Sequence, residues 1–295
     1  VASGPPAPMA ATCRLTPAAR VLPFGVLRAA CRQLRADLGA VSGVHSAAAP
    51  FPYQETFEFG EFQADSATVI ALLTPYISRQ RRAAVDKVVS ERTFSVVPIV
   101  EGLVDTGNLS AVLRSADALG YGAVHCIRNS NKKPKYSQRC SAGADKWLEL
   151  VEWDRTEDCL ADMKENGYHI VVTSLAPGAS LVQDVDWTRP TAVVLGNELQ
   201  GVSDAAMEMA DSCAVIPMVG FVESFNISVA AALTLYEAKS SRICKLGFHG
   251  DLSEEQQQIL KAVLYLRCRE DAGRYVKELL SRMERSNENE NGAAS

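Results

Sequence analysis

The chain has 295 residues, a formal net charge of −5 and a hydrophobic fraction of 47%, which is enough for one sizeable core. No apolar run reaches the roughly 18 residues that a membrane-spanning helix requires, and no GxxxxGK[ST] phosphate loop is present. The sequence therefore argues against a membrane protein and a P-loop NTPase. The acidic body also argues against a nonspecific nucleic-acid binder, although local basic patches can still bind RNA.

The N-terminal region differs in composition from the rest of the chain. Residues 1–50 are rich in Ala, Ser and Pro and contain five Arg, no Lys and a single acid, Asp37. This composition predicts an organelle transit peptide, with a chloroplast favoured over a mitochondrion, and a plain disordered extension is the alternative. We expect a transit peptide and disordered linker over residues 1–67, with the folded part beginning near Thr68.

From residue 68 onward, apolar runs of strand length alternate with segments of helical periodicity. This alternation predicts an α/β fold, a parallel sheet covered by helices on both faces. One or two charged helices are expected over residues 251–285, with a capping box at Ser253 and Gln256. The predicted strands are 95–103, 123–127, 169–174, 191–196 and 213–218, and the predicted helices are 69–93, 108–120, 155–166, 203–210 and 225–242.

The cysteines and histidines show no pattern of a metal site or of a nucleophilic triad. The eight cysteines contain no CxxC spacing, so we expect reduced thiols, no bound metal and a reducing compartment. His125 and His169 lie within predicted strands and are expected to be core residues. The chemistry must therefore come from other residues.

Three segments combine glycine with polar side chains next to predicted strand ends. They are NLSAVLRSADALG (108–120), VVLGNELQGVS (193–203) and VIPMVGFVESFNISVAAALTLYEA (215–238). Ligands of open α/β proteins bind beyond the carboxyl ends of strands, so these segments predict a ligand site. Each alone has a structural explanation: Asn108 and Ser224 or Asn226 can cap helices, and Glu198 can favour a helix N-terminus.

Together, the three segments resemble the motifs of the SpoU/TrmH family of SPOUT RNA methyltransferases, most closely its tRNA (guanosine-2′-O)-methyltransferase branch. The resemblance covers roughly residues 75–245. It implies a C-terminal deep trefoil knot, S-adenosyl-L-methionine as the cofactor, RNA as the substrate and a homodimer whose active site is completed across the interface. The expected domains are a methyltransferase domain at 68–245, a helical RNA-binding extension at 246–285 and a disordered tail at 286–295.

The resemblance also assigns roles to individual residues, and Arg114 is expected to position groups and stabilise charge because a guanidinium is a poor base. The family's usual Arg-Gln-Arg after the third motif is replaced here by Ser240-Ser241-Arg242. The implied catalytic residues are Asn108, Arg114, Glu198 and Asn226. The implied cofactor-binding residues are Thr173, Leu175, Leu195, Gly196, Gly201, Ile216, Met218, Ser224, Phe225, Asn226 and Ser228. The implied RNA-binding residues are Arg79, Arg81, Arg82, Arg92, Lys132, Lys133, Lys135 and Arg242.

Three functions remain as alternatives at this stage. The leading one is 2′-O-methylation of a guanosine in the tRNA D-loop, by in-line displacement on the cofactor's methyl group. Methylation of rRNA is the second, but residues 45–75 are too few for the N-terminal RNA-binding domain that many rRNA enzymes of the family contain. A noncatalytic RNA-binding or assembly factor that retains the fold is the third.

Overall fold

The computed structural model describes residues 49–102, 106–128, 141, 143–197 and 200–293. These residues belong to a unit that spans His45–Ser295. No helix within them is long and apolar enough to cross a membrane, and no group of three His, Cys, Asp or Glu side chains could hold a metal ion. The predicted transit peptide, Glu198, Lys132, Lys133 and Lys135 lie outside the described residues, so those assignments stay predictions.

Seven strands of the described chain form one sheet, and two more form a separate hairpin. The sheet order is β5-β4-β3-β8-β6-β9-β7, and every neighbouring pair is parallel. The predicted parallel sheet is therefore confirmed. The strands are β1 Thr56–Phe59, β2 Phe62–Asp65, β3 Val96–Glu101, β4 Ala123–Ile127, β5 Glu149–Trp153, β6 His169–Thr173, β7 Ser180–Leu181, β8 Thr191–Leu195 and β9 Ser212–Val215.

Helices cover both faces of the sheet, as predicted. Alternate residues of a strand point to opposite faces, so each buried strand supplies two cores. Val97 and Ile99 of β3 pack with α1, α2 and α7, whereas Val96 and Val100 pack with α3 and α6. The helices are α1 Ser66–Leu73, α2 Arg79–Ser90, α3 Thr106–Leu119, α4 Thr156–Glu165, α5 Asp204–Met209, α6 Ile227–Leu246, α7 Glu254–Arg267 and α8 Ala272–Ala293.

The single helix predicted over residues 69–93 is wrong, because the structure divides it into α1 and α2. Pro75 lies in a 3-10 turn, Thr74–Tyr76, after which Ile77 is extended. Proline lacks an amide donor, so Pro75 cannot continue the backbone hydrogen bonds of α1, which ends at Leu73. Ser78 then starts α2 by accepting a hydrogen bond from the Arg81 amide at 3.2 Å.

The predicted linker is also wrong where the structure describes it, at residues 49–67. β1 and β2 pair as an antiparallel hairpin around Gly60, which has a φ of +76°. Phe51 and Tyr53 stack edge-to-face on Phe94 at centroid distances of 5.5 and 6.2 Å. The aromatic residues that flank this glycine were the signal for a hairpin.

Two helices, α7 and α8, confirm the helical structure predicted over residues 251–285, including the capping box of Ser253 and Gln256, whereas the RNA-binding role of this extension stays a prediction. The predicted boundary at residue 286 is wrong, since α8 continues to Ala293. A helix can continue into a polar segment when the apolar side chains of its preceding turns are packed against a core, because most helix stability comes from such packing. Here Val276 is buried in the core that contains Val97 and Ile99 of β3, and the partly buried Leu280 packs against the same core.

Candidate active site

Four neighbouring strands place the three polar segments at one edge of the sheet. β3, β8, β6 and β9 are adjacent and parallel, so their carboxyl ends meet at that edge. β3 is followed by α3, β8 by the loop 196–203, and β9 by the loop 216–226. The three segments therefore come together, as predicted, at the edge of the sheet where open α/β proteins bind ligands.

A hydrogen bond joins the first predicted motif to the third. Asn226 caps α6, where its Oδ1 accepts hydrogen bonds from the Ser228 amide at 2.9 Å and the Ser228 hydroxyl at 2.6 Å. Its Nδ2 is then available to donate to Asn108 Oδ1, 3.1 Å away. Asn226 is thus both the helix cap and a link between segments separated by more than 100 residues. The capping role and the site role do not exclude one another.

The loop after β8 is fixed by backbone contacts. The Gly201 amide donates to the Asn197 carbonyl at 2.7 Å, and Asn197 Nδ2 donates to the Gly102 carbonyl at 2.8 Å. Gly201 has a φ of +71°, a conformation that favours glycine. Asn197, which the sequence analysis did not single out, therefore ties this loop to the end of β3.

Glu101 is a second structural residue that sequence reasoning missed. It is buried at the carboxyl end of β3 and accepts hydrogen bonds from the Thr156 hydroxyl, the Ser203 hydroxyl and the Ser203 amide at 2.5, 2.6 and 2.8 Å. A buried carboxylate is stable only when it is paired or hydrogen-bonded in this way. An acid directly after the apolar run VVPIV was the signal in the sequence.

We expect Gly196→Ala to disrupt the loop after β8. A β-carbon at this position would lie 2.3 Å from the Gly201 carbonyl carbon and 2.4 Å from the Val202 nitrogen, so the backbone must move. Such crowding costs about 1–3 kcal/mol, which corresponds to a loss of affinity of roughly 5- to 150-fold if the displaced loop must return to this position to hold the ligand. Isothermal titration with S-adenosyl-L-methionine would measure the loss. Gly273→Ala, at a site with no atom within 4 Å, is the matched control and should bind normally.

The other residues expected around a cofactor range from buried to exposed. Thr173 lies at the end of β6 and donates its hydroxyl hydrogen to the Val194 carbonyl at 2.9 Å. The side chain of Leu195 is buried, so only its backbone can contact a ligand. The other members are Ile216 and Met218, which are partly buried, and Leu175, Ser224 and Phe225, which are exposed.

Arg114 lies away from the contact between Asn108 and Asn226. It is exposed on α3 and forms no hydrogen bond or ion pair with any residue that the structure describes. At roughly 100° per residue, its position is about 120° around the helix axis from Asn108. The described chain therefore leaves its guanidinium free to contact another molecule.

The similarity to known proteins agrees with this geometry. Residues 95–236 match the SpoU rRNA Methylase family, and this span contains the first two motifs and all but the last two residues of the third. The tRNA (guanosine(18)-2′-O)-methyltransferase of Aquifex aeolicus is 35% identical over 192 residues, which are 64% of this chain and 90% of that one. The chain belongs to the SpoU family.

Two further relatives support the assignment to the SpoU family. The Escherichia coli protein named tRNA (guanosine(18)-2′-O)-methyltransferase is 33% identical over 162 residues, 55% of this chain and 70% of that one. The solved structure of the A. aeolicus TrmH/SpoU tRNA modifying enzyme aligns with a TM-score of 0.58 and 35% identity, covering 63% of this chain and 95% of that one. The predicted family is confirmed.

Two of the RNA-binding residues predicted for this SpoU-family chain are wrong. Arg92 and Arg242 each have a side chain that is only 1% exposed. Arg92 pairs with Asp117 at 2.6 Å, and Arg242 pairs with Asp251 at 2.6 Å, so both are internal ion pairs. Sequence position alone could not separate a buried arginine from a solvent-facing one.

The basic cluster of α2 does not form a single face. Arg79 and Arg81 are exposed and Arg82 is partly buried. At roughly 100° per residue, Arg79 lies about 160° around the helix axis from Arg81. Arg81 alone lies over the Trp147 ring, with 5.7 Å between its guanidinium carbon and the ring centroid. Arg79 and Arg81 of this SpoU-family helix therefore point in different directions, and the RNA-binding role of these arginines stays a prediction.

His125 is buried, as predicted for a core residue, whereas His169 is only partly buried at the start of β6. His125 Nδ1 accepts a hydrogen bond from the Trp153 indole at 3.1 Å, and burial lowers the pKa of His125 to about 4. His169 contacts the Ser212 hydroxyl at 2.9 Å, and its pKa is lowered mainly by burial. Both are therefore neutral near pH 7, and neither lies at the carboxyl edge of the sheet.

Proposed function

We propose that this protein methylates the ribose 2′-hydroxyl of a guanosine in the D-loop of tRNA, with S-adenosyl-L-methionine as the methyl donor. The observation that best supports this proposal is the hydrogen bond from Asn226 to Asn108, which assembles two family motifs at the carboxyl edge of the sheet. Two relatives that this chain matches over 90% and 93% of their length are named tRNA (guanosine(18)-2′-O)-methyltransferase. Family membership alone would also allow rRNA.

The residues at this edge suit the proposed cofactor. The backbone of Gly196 and Gly201 can approach a ligand closely, and the half-buried side chains of Ile216 and Met218 supply apolar surface next to it. An adenosine needs both backbone hydrogen-bonding groups and an apolar wall. When bound, S-adenosyl-L-methionine supplies a methyl group on a positively charged sulfur, which is open to attack by an oxygen nucleophile.

The protein contributes positioning and charge to this reaction. Asn108 and Asn226 present amide groups in a fixed mutual orientation, which can hold the reacting ribose. A guanidinium is a poor base, so we assign Arg114 to orienting the substrate and to stabilising negative charge that develops on the 2′-oxygen. Correct orientation of two reactants can contribute ~7–11 kcal/mol to lowering a barrier.

A homodimer is part of the proposal and is supported by an exposed apolar face. Val229, Leu233 and Tyr236 lie at helical spacing on α6, and each is more than 40% exposed. Val219 and Phe221 of the preceding loop are fully exposed. Apolar surface of this extent next to a polar site is typical of a subunit interface. The family resemblance implies that a second copy covering this face would help to complete the active site.

We expect Leu233→Asp to convert the dimer to a monomer and to abolish methyl transfer. A buried, unpaired carboxylate at the interface costs several kcal/mol, whereas an exposed carboxylate on the monomer costs little. Sedimentation velocity at matched concentrations would measure the change in mass. Leu233→Met, which keeps apolar volume, is the control and should remain dimeric. A Leu233→Asp protein that stays dimeric would place the interface elsewhere.

A trefoil knot formed by the loops after β8 and β9 also belongs to the proposal. It is supported by family membership and by the packing of α6 on α3 in the same core cluster, which brings the C-terminal part of the domain back across the first motif. Knots are rare exceptions to chain topology, and no hydrophobic pattern predicts one.

The function is tested by incubating the protein with labelled S-adenosyl-L-methionine and unmodified tRNA or rRNA transcripts, and by mapping the labelled nucleotide. We expect label on a ribose of the tRNA D-loop. Label on rRNA alone would support the proposed 2′-O-methyl transfer but show that the substrate is rRNA and not tRNA. Cofactor binding without label on any RNA would favour the noncatalytic alternative.

A further inference from the structure

The helices outside the matched family span build a surface on which aromatic rings and cations alternate. Five cation–aromatic pairs occur among the described residues, and four of them involve α2, α7, α8 or the junction between α7 and α8. The fifth, Lys146 with Trp147, lies just before β5, and Arg81 of α2 also contacts this Trp147 ring. The family match covers residues 95–236 and therefore includes neither α2 nor α7 and α8. This clustering needs an explanation that the methyl-transfer site does not provide.

Trp147 is at the centre of the first part of this surface. The Arg81 guanidinium carbon lies 5.7 Å and the Lys146 Nζ 5.3 Å from the centroid of its ring. Both cations are exposed, and neither forms an ion pair with another described residue, while Trp147 is half-buried. The two positive charges beside this ring are thus open to an anion from outside.

Tyr275 is at the centre of the second part. The Arg269 guanidinium carbon lies 5.7 Å from its ring centroid, and the exposed ring of Tyr76 stacks on it edge-to-face at 4.7 Å. Asp271 neutralises Arg269 through two hydrogen bonds, at 2.9 and 3.1 Å. This part therefore offers ring surface more than free charge.

The two parts are neighbours on one surface. Leu264 of α7 lines a cleft together with Arg81 and Trp147, and Arg269 follows the end of α7 by two residues. Tyr76 precedes α2 by only three residues, and α2 contains Arg81. We call the set Tyr76, Arg81, Lys146, Trp147, Arg269 and Tyr275 the aromatic–cation surface.

A cleft of about 150 Å³ opens beside Trp147 and Arg81. It is lined further by apolar side chains and by the ion pair of Arg92 with Asp117. A cavity of about 150 Å³ can hold a benzene-sized molecule, so the cleft has room for one small planar ring system. A double helix could not enter it.

We propose that the aromatic–cation surface binds unpaired nucleotides of the RNA substrate, with bases stacked on Trp147 and Tyr76 and phosphates held by Arg81 and Lys146. Aromatic platforms flanked by cations bind single-stranded nucleic acid in this way, because every base has a stacking face and every nucleotide has a phosphate. A protein with a net charge of −5 needs such a local cationic patch to attract RNA. The inference rests on the proposed RNA substrate and adds a contact surface outside the methyl-transfer site.

The test compares RNA affinities of full-length Trp147→Leu and Trp147→Phe with that of the wild type. Probes are an unmodified tRNA transcript, a single-stranded oligonucleotide and a fully paired RNA duplex. Loss of one stacked base weakens binding roughly 5- to 100-fold, so we expect Trp147→Leu to lose this much on tRNA and on the single strand, and little on the duplex. Trp147→Phe keeps a ring and should bind within about twofold of the wild type.

The cationic part is tested by the salt dependence of tRNA binding. Arg81→Gln should lower the slope of log affinity against log salt by about one. Lys87→Gln removes the same charge from the same helix, about 120° around the axis from Arg81, and should leave the slope unchanged. Urea unfolding of each variant would separate loss of affinity from loss of folded protein.

The outcomes distinguish this inference from the proposed function. If Trp147→Leu is less stable but binds tRNA as tightly as the wild type, the cation–aromatic pairs only hold the helices together, and the inference is overturned. If Trp147→Leu weakens tRNA binding while the wild type methylates no RNA, the surface is supported and the methyltransferase proposal fails. Equal losses of affinity on duplex and single-stranded RNA would contradict recognition of unpaired nucleotides.

Discussion

Arg114→Ala is expected to lower the rate of methyl transfer roughly 100- to 1000-fold, the usual effect of removing one group that stabilises charge in a transition state. Arg114 is exposed and has no partner among the described residues, so its loss leaves no buried charge and should not unfold the protein. Single-turnover methylation of a tRNA transcript would measure the rate. Arg114→Lys should also be slow, because an ammonium group cannot reproduce the planar, bidentate contact of a guanidinium. Near-normal turnover of Arg114→Lys would contradict this role.

If the protein forms the proposed homodimer, mixed dimers can show which subunit's site Arg114 completes. Arg114 lies about 120° around α3 from Asn108, which supports a contact with the partner's site. An equimolar mixture of Arg114→Ala and Asn226→Ala subunits contains hybrids with one intact site if Arg114 acts across the interface. Such a mixture should recover about a quarter of wild-type activity, since about half of the dimers are hybrids with one working site of two. No recovery, with hybrid formation verified, would place Arg114 in its own subunit's site.

Arg242→Ala is expected to lower the free energy of unfolding by about 3–5 kcal/mol, because it leaves a largely buried carboxylate without its cation. Asp251 is 19% exposed and pairs with Arg242 at 2.6 Å. Arg242 also donates to the Trp187 carbonyl at 3.0 Å, so its loss frees a second buried acceptor. Urea denaturation monitored by circular dichroism would show a lower midpoint with little change in slope.

An exposed ion pair provides the control for Arg242. Arg282 pairs with Glu278 at 2.5 Å on the surface of α8, and Arg282→Ala should change stability by less than about 0.5 kcal/mol. Arg242→Ala combined with Asp251→Ala should be less destabilising than the sum of the single changes, since the double variant leaves neither charge unpaired. A folded, fully stable Arg242→Ala protein with weaker RNA binding would return Arg242 to the RNA-binding residues.

The α/β architecture could be predicted from the sequence because its signals are local. A buried parallel strand is a short continuous apolar run, and AVHCI at 123–127 corresponds to β4 without any shift in bounds. Weaker local signals led to errors. Pro75 divided a predicted helix, and the two-stranded hairpin at Thr56–Asp65 was taken for a linker because its strands are only four residues long.

The candidate site was predictable in its members but not in its contacts. The motifs that contain Asn108 and Asn226 are recognisable along the chain, but no local property states that Asn226 donates to Asn108 across 118 positions. Glu101 and Asn197 were missed for the same reason. Glu101 accepts a hydrogen bond from the Ser203 amide, and Asn197 donates one to the Gly102 carbonyl. Both contacts depend on the order of the strands in the sheet.

The amino-acid sequence by itself determined the fold class, the family and the residues at the carboxyl edge of the sheet, because these follow from periodicity and from short ordered motifs. Only the tertiary structure decided which charges are available to RNA. Arg81 and Arg92 lie in or directly after the same helix, yet one lies exposed beside Trp147 and the other is buried in an ion pair with Asp117. The difference arises from what packs against each side of α2, and that packing is supplied by segments distant in the chain.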